Sequence, residues 1–101
     1  MKIEVLYVPG CPNHRPVLEA VISVLATESV PTNICQVPVH SEGEAQAFRF
    51  PGSPTVRING NDVEPDRRPT FGLACRLYAN GTGIPNEAAI RRAVTAARQK
   101  E

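Results

Sequence analysis

The sequence predicts an α/β domain of order β-α-β-α-β-β-α, a four-stranded mixed sheet with helices on both faces. Three observations carry this. A short apolar run at residues 3 to 8 breaks at Pro9-Gly10 and gives way to apolar residues at helical spacing. Asn59-Gly60 separates two short strand-like runs and is the dipeptide best suited to a tight hairpin. The chain then closes on an amphipathic helix opened by Asn86.

Taken in order, I-E-V-L-Y-V (3 to 8) is rich in β-branched and aromatic residues and reads as a central strand buried on both faces. From 14 to 28, Val17, Leu18, Val21, Ile22 and Leu25 give a helix one apolar face, and Pro31 forbids its continuation. T-N-I-C-Q-V-P-V (32 to 39) is a second strand, and Pro38, which cannot donate to a ladder, favours a sheet edge. Cys35 within it reads as a small buried filler. Ser41 and Glu44 form a capping box that opens a short helix with Ala45 and Phe48 facing inward. T-V-R-I and N-D-V-E flank the Asn59-Gly60 turn. Residues 65 to 83 have no clear period, although L-A-C-R-L-Y suits a strand or a helical turn. In the last helix Ile90, Ala93, Val94 and Ala97 face one way while Arg91, Arg92 and Arg98 face water. A βαβ unit followed by an antiparallel hairpin leaves few topologies.

At 101 residues the chain is read as one domain, 1–101, able to bury about 65% of its unfolded surface without disulfide staples. Eleven basic and ten acidic residues leave a net charge of +1, which gives no footprint for nucleic acid or an anionic membrane. The N-terminal apolar run is too short for a signal or membrane-spanning segment, so a cytoplasmic address is expected. Cys11, Cys35 and Cys75, odd in number and widely spaced, do not form a secreted disulfide framework, and in a reducing compartment each is a free thiol.

Cys11 follows the first strand and precedes the first helix, where a helix dipole and an imidazolium three residues on favour a thiolate, the form that acts as nucleophile and metal ligand. Two caps fit. Cys11 caps with Pro12 at the first helical position, which places His14 on its face, or Asn13 caps with Pro16 in the first turn, and the dipole then helps less.

Strand, C-P-N-H, helix, and later S-P-T before a hairpin together resemble the thioredoxin fold, with Cys11 at the first position of its C-x-x-C motif. The resemblance implies that Ser53, Pro54 and Thr55 are the substrate-binding segment, with a cis-proline beside the active site and an exposed backbone that pairs with an extended substrate strand. It implies a thiol-disulfide oxidoreductase without a cofactor. His14 replaces the resolving cysteine, so exchange within the motif is excluded. Either an external thiol such as glutathione resolves the mixed disulfide, as in monothiol glutaredoxins, or another cysteine does. In such a fold residues 65 to 83 emerge near Cys11 and nominate Cys75, whose other reading is a small residue packing the loop. Arg67, Arg68 and Arg76 are candidates to receive a substrate carboxylate or to be solvated surface. Tyr7 and Tyr78 are candidates for core bodies with polar tips.

The strings P-G-C-P-N, F-x-G-S-P-T and C-R-x-Y also resemble short bacterial thioredoxin-like proteins sometimes labelled as organomercurial lyases. That resemblance implies an alternative tied to mercury resistance, a soft-metal or organomercurial carrier using Cys11, Cys75 and His14 as ligands for Hg(II), Cu(I) or Zn(II). A third alternative is a non-catalytic interaction module. The expected partners are thus protein or low-molecular-weight thiols and disulfides, or soft metal ions.

Overall fold

A computed structural model describes residues 1–65 and 70–100. The order is β1 (Ile3–Tyr7), α1 (His14–Thr27), β2 (Ile34–Pro38), α2 (Glu42–Ala47), β3 (Thr55–Ile58), β4 (Asn61–Asp62) and α3 (Glu87–Gln99), in agreement with the predicted β-α-β-α-β-β-α. Arg67 and Arg68 lie outside the described residues.

The strands form one sheet in the order β2-β1-β3-β4. β1 pairs parallel with β2, Ile3 opposite Ile34, and antiparallel with β3, Ile3 opposite Ile58. β2 is an edge, as Pro38 requires. The hairpin turns at Asn59 and Gly60, both with positive φ (+53° and +83°), which is the backbone a type I′ turn demands and these two residues tolerate. β4 is shorter than the predicted run of four, and Val63 adds one further ladder bond to Val56 (3.0 Å).

Alternation along the strands divides the core. Ile3, Val5, Val56 and Ile58 join Val17, Val21, Val24 and Leu25 of α1 and Ile90, Val94 and Ala97 of α3. Leu6, facing the other way, joins Val39, Ala45 of α2 and Phe50. Helices therefore cover both faces. The apolar stripe of α1 is centred on Val21 and Val24, which leaves Ile22 exposed against expectation.

Two further burial expectations fail, for one geometric reason. α2 is only six residues long. It ends at Phe48, where Arg49 turns into the left-handed region (φ +52°), the Phe50 N–H returns to Ala45 O (2.8 Å) and the Arg49 N–H to Gln46 O (3.1 Å). This Schellman closure carries Phe50 inward, fully buried, and leaves Phe48 at the exposed cap. The Arg57 guanidinium donates to the carbonyls of Phe48 and Arg49 (2.7 and 2.9 Å), serving the helix's orphan acceptors. So short a helix covers Leu6 but not the end of that face where Glu4 sits between Cys35 and Arg57, and Cys35 is exposed, not a buried filler.

The Ser41 hydroxyl accepts from the Glu44 N–H (3.1 Å), and the Glu44 carboxylate accepts from the N–H of His40 (2.7 Å), one residue outside the predicted capping box. Among the described residues, no helix is long and apolar enough to cross a membrane.

Candidate functional site

Beyond β1 the chain reverses. The Cys11 N–H donates to Val8 O (3.0 Å) across Pro9 and Gly10, and Gly10 has φ +87°. Proline second and a positive-φ glycine third is the residue pattern of a type II turn, so the sequence itself fixes where the thiol emerges. The Cys11 side chain is half-buried at that exit.

Of the two predicted caps the structure has the second. Asn13 is the N-cap and α1 begins at His14, which leaves Cys11 two residues ahead of the cap. The Asn13 side chain makes no capping bond and instead packs on Gly83, where an added Cβ would meet its amide. The His14 N–H donates to Cys11 O (3.2 Å). Its ring stacks on Tyr7, centroids 3.6 Å apart and planes 8° from parallel, and its Nε2 is joined to Gln36 Oε1 by a hydrogen bond of 2.9 Å. The imidazole is thus held between β1 and β2. Tyr7 is half-buried, with its ring given to this stack.

The second segment of the site precedes β3. The Ser53–Pro54 peptide is cis, as the resemblance implied. The Ser53 hydroxyl accepts from the Val8 N–H (3.0 Å), which ties this segment to the residue whose carbonyl holds Cys11. Ser53, Pro54 and Thr55 are all buried, so their side chains do not form an exposed substrate-facing edge. Their backbone is not open either. Ser53 makes a parallel bridge with Cys75: its N–H donates to Ala74 O and its carbonyl accepts from the Arg76 N–H, each at 3.0 Å. L-A-C-R-L-Y is thus neither a regular strand nor a helical turn: residues 73 and 74 bend and Cys75 makes one isolated bridge. Cys75 stands exposed on it, not packed as a loop filler, and Cys11, Cys35 and Cys75 are all unbonded thiols.

The residue after Cys75 enters a buried ion-pair network. Arg76 is buried, against the expectation of a carboxylate receptor or a solvated surface residue. Its guanidinium donates to both Asp62 oxygens (2.6 and 3.1 Å), to the Thr55 hydroxyl (3.2 Å) and to the Glu64 carbonyl. It lies 4.3 Å from the centre of the Tyr78 ring. Burial alone would lower the Arg76 pKa, but the hydrogen bond to Asp62 and the charges around it more than reverse this and raise it. The Tyr78 hydroxyl donates to Pro54 O (2.6 Å), and burial raises its pKa well above the usual 10, with Arg76 opposing in part. No buried side-chain polar atom among the described residues lacks a partner. Tyr78 is the core body with a polar tip that its residue type suggests.

Sequence reading marked Cys11, His14, Ser53, Pro54, Thr55 and Cys75, and the fold joins Ser53 by a backbone bridge to Cys75 and by its hydroxyl to Val8, whose carbonyl holds the Cys11 N–H. It missed Asp62, Tyr78 and Gly52 as parts of the same assembly. The available signal was the pair of acids after the hairpin, Asp62 and Glu64, with no cation on their own strand to answer them. No group of three or more His, Cys, Asp or Glu able to hold a metal ion occurs among the described residues, so Cys11, His14 and Cys75 are not assembled as one ligand set. Comparison with protein-family models, with curated proteins and with solved structures finds no match.

Proposed function

We propose that this chain is a thioredoxin-like protein of thiol-disulfide exchange, with Cys11 as its nucleophile and an external thiol as its reductant. The observation that carries the reading is the Val8–Ser53 hydrogen bond (3.0 Å), which ties the segment before β3 to Val8, the residue that opens the tight turn leading to the half-buried Cys11 thiol. The sheet order, with β3 antiparallel to β1 and preceded by the cis-proline, supports the same fold-level reading.

The chemistry needs no further group. The Cys11 thiolate attacks one sulfur of a disulfide, that S–S bond breaks, and the other sulfur leaves as a thiolate. An external thiolate such as glutathione then attacks the sulfur of the substrate half held by Cys11 and frees Cys11. A second external thiolate attacks the external-thiol sulfur of the mixed disulfide so released and frees the remaining substrate thiolate, so that two electrons pass from two external thiols to the original disulfide.

The test is turnover of bis(2-hydroxyethyl) disulfide with glutathione as reductant. Wild type and Cys35→Ser are expected to accelerate the reaction above the uncatalysed thiol background, and Cys11→Ser to abolish the gain. Equal gain in Cys11→Ser contradicts the assignment. Loss in Cys75→Ser alone would move the resolving role from the external thiol to Cys75.

A further inference from the structure

A strand end beside an exposed thiol ordinarily offers unpaired N–H and C=O groups to which an extended peptide adds as a further strand. Here the chain uses them itself. The Ser53 N–H and carbonyl are both taken by the 74–76 segment, the Pro54 carbonyl by the Tyr78 hydroxyl, the Gly52 carbonyl by the Thr55 hydroxyl, and the Phe50 carbonyl by the Gly72 N–H. Pro51 and Pro54 have no N–H to offer.

We infer that the 72–78 segment, through its bridge at Cys75, is a built-in stand-in for a substrate strand that fills the pairing edge beside Pro54, so that Cys11 takes low-molecular-weight disulfides and rejects disulfides carried on extended protein strands. This rests on the exchange reading above and names its substrate class. The segment is anchored from both sides. Arg76 is fixed to Asp62, Thr55 and the Glu64 carbonyl, and Tyr78 to Pro54. On the other side Gly72 and Leu73 bond to Phe50 and Glu42. Gly52 is the complementary feature. With φ +146° it lies so close to the segment that a Cβ there would stand 3.0 Å from Arg76 Cβ and 3.1 Å from Ala74 O. A side chain here would be held in a backbone conformation that favours glycine and would force Arg76 and Ala74 to give by a few tenths of an ångström. A partner peptide would have to lift a buried arginine to reach the Ser53 backbone, whereas a small disulfide needs only to bring one sulfur to Cys11.

The test compares bis(2-hydroxyethyl) disulfide with the interchain disulfides of insulin, both with glutathione as reductant, in the full chain. Wild type is expected to accelerate reduction of the first and not the second. Gly52→Ala, which crowds Arg76 and Ala74, is expected to weaken the two backbone bonds to Ser53 and raise the insulin rate relative to the small disulfide, by about tenfold where both bonds are released. Comparable acceleration of both substrates by wild type overturns the substrate class and leaves the exchange reading standing. Reaction of Cys11 with neither substrate overturns both. Amide hydrogen exchange of the wild type supplies a readout free of activity and of the variant's folding: slow exchange at Ser53 and Arg76 is expected, and exchange at these two amides as fast as in the exposed loops overturns the inference.

Discussion

Asp62→Ala removes the acceptor that fixes the built-in segment, and its cost follows from the structure. Asp62 receives two guanidinium bonds from Arg76, at 2.6 and 3.1 Å, and its Oδ1 also accepts from the Glu64 N–H (2.8 Å). The Arg76 side chain is 5% exposed and that of Asp62 16%. This pair is nearly dry, so the surface value of at most about 1 kcal/mol does not apply. Breaking a buried pair by deleting one partner costs about 3–5 kcal/mol, because the remaining charge is stranded. The partial exposure of Asp62 and the acceptors left to Arg76, Thr55 and the Glu64 carbonyl, place this case at the lower end, about 3 kcal/mol. For a domain of this size that is a melting temperature lower by about 12–24 °C. In urea it is a midpoint lower by about 1–3 M at m-values of about 1–3 kcal/mol per M. Asp62→Leu combined with Arg76→Met, which removes both charges, should recover much of the loss. A loss below about 1 kcal/mol in Asp62→Ala would place the pair in the class of exposed salt bridges and refute the claim that it anchors the segment.

Three further outcomes follow from the same geometry. The raised pKa of Tyr78 means the folded state holds its phenol proton where the unfolded chain has lost it, so its contribution is intact below pH 10 and declines as pH rises from there. Wild-type stability should fall by up to about 1.4 kcal/mol per pH unit from this group, and Tyr78→Phe should flatten that alkaline slope in denaturant titrations at successive pH values. Phe50→Ala should cost about 3–5 kcal/mol, while Phe48→Ala, at an exposed cap, should stay within about 0.5 kcal/mol; equal costs in thermal melts would contradict the Schellman closure. Arg49→Gly, relieving a side chain at φ +52°, should be neutral or stabilising by up to about 1 kcal/mol in the same melts.

Much of the architecture was legible because local chemistry and global fold agree at particular residues. Asn59-Gly60 can turn both φ values positive, Ser41 can cap, Pro9-Gly10 can reverse the chain, and each does so. What was not legible depends on lengths and distant partners. Phe48 and Phe50 are both apolar, and only the early end of α2 decides which of them is buried. Cys35 lies on a β2 position of good strand chemistry, but the helix above that face stops short of it. Arg76 sits in a stretch without period, and its burial is dictated by Asp62, fourteen residues earlier, and Thr55, twenty-one residues earlier. The candidate site divides along the same line: the thiol and its turn are local, whereas the segment that fills the edge beside Pro54 is a long-range pairing.

The proposed chemistry requires Cys11 to be the thiol that disulfides find first. Brief exposure of the wild-type chain to substoichiometric glutathione disulfide, an acid quench and peptide mass mapping would locate the first mixed disulfide among the three cysteines. Glutathione carried predominantly on the Cys11 peptide, and discharged by added free thiol, is the predicted result. Adducts distributed evenly over Cys11, Cys35 and Cys75, or confined to the two exposed cysteines, would contradict it.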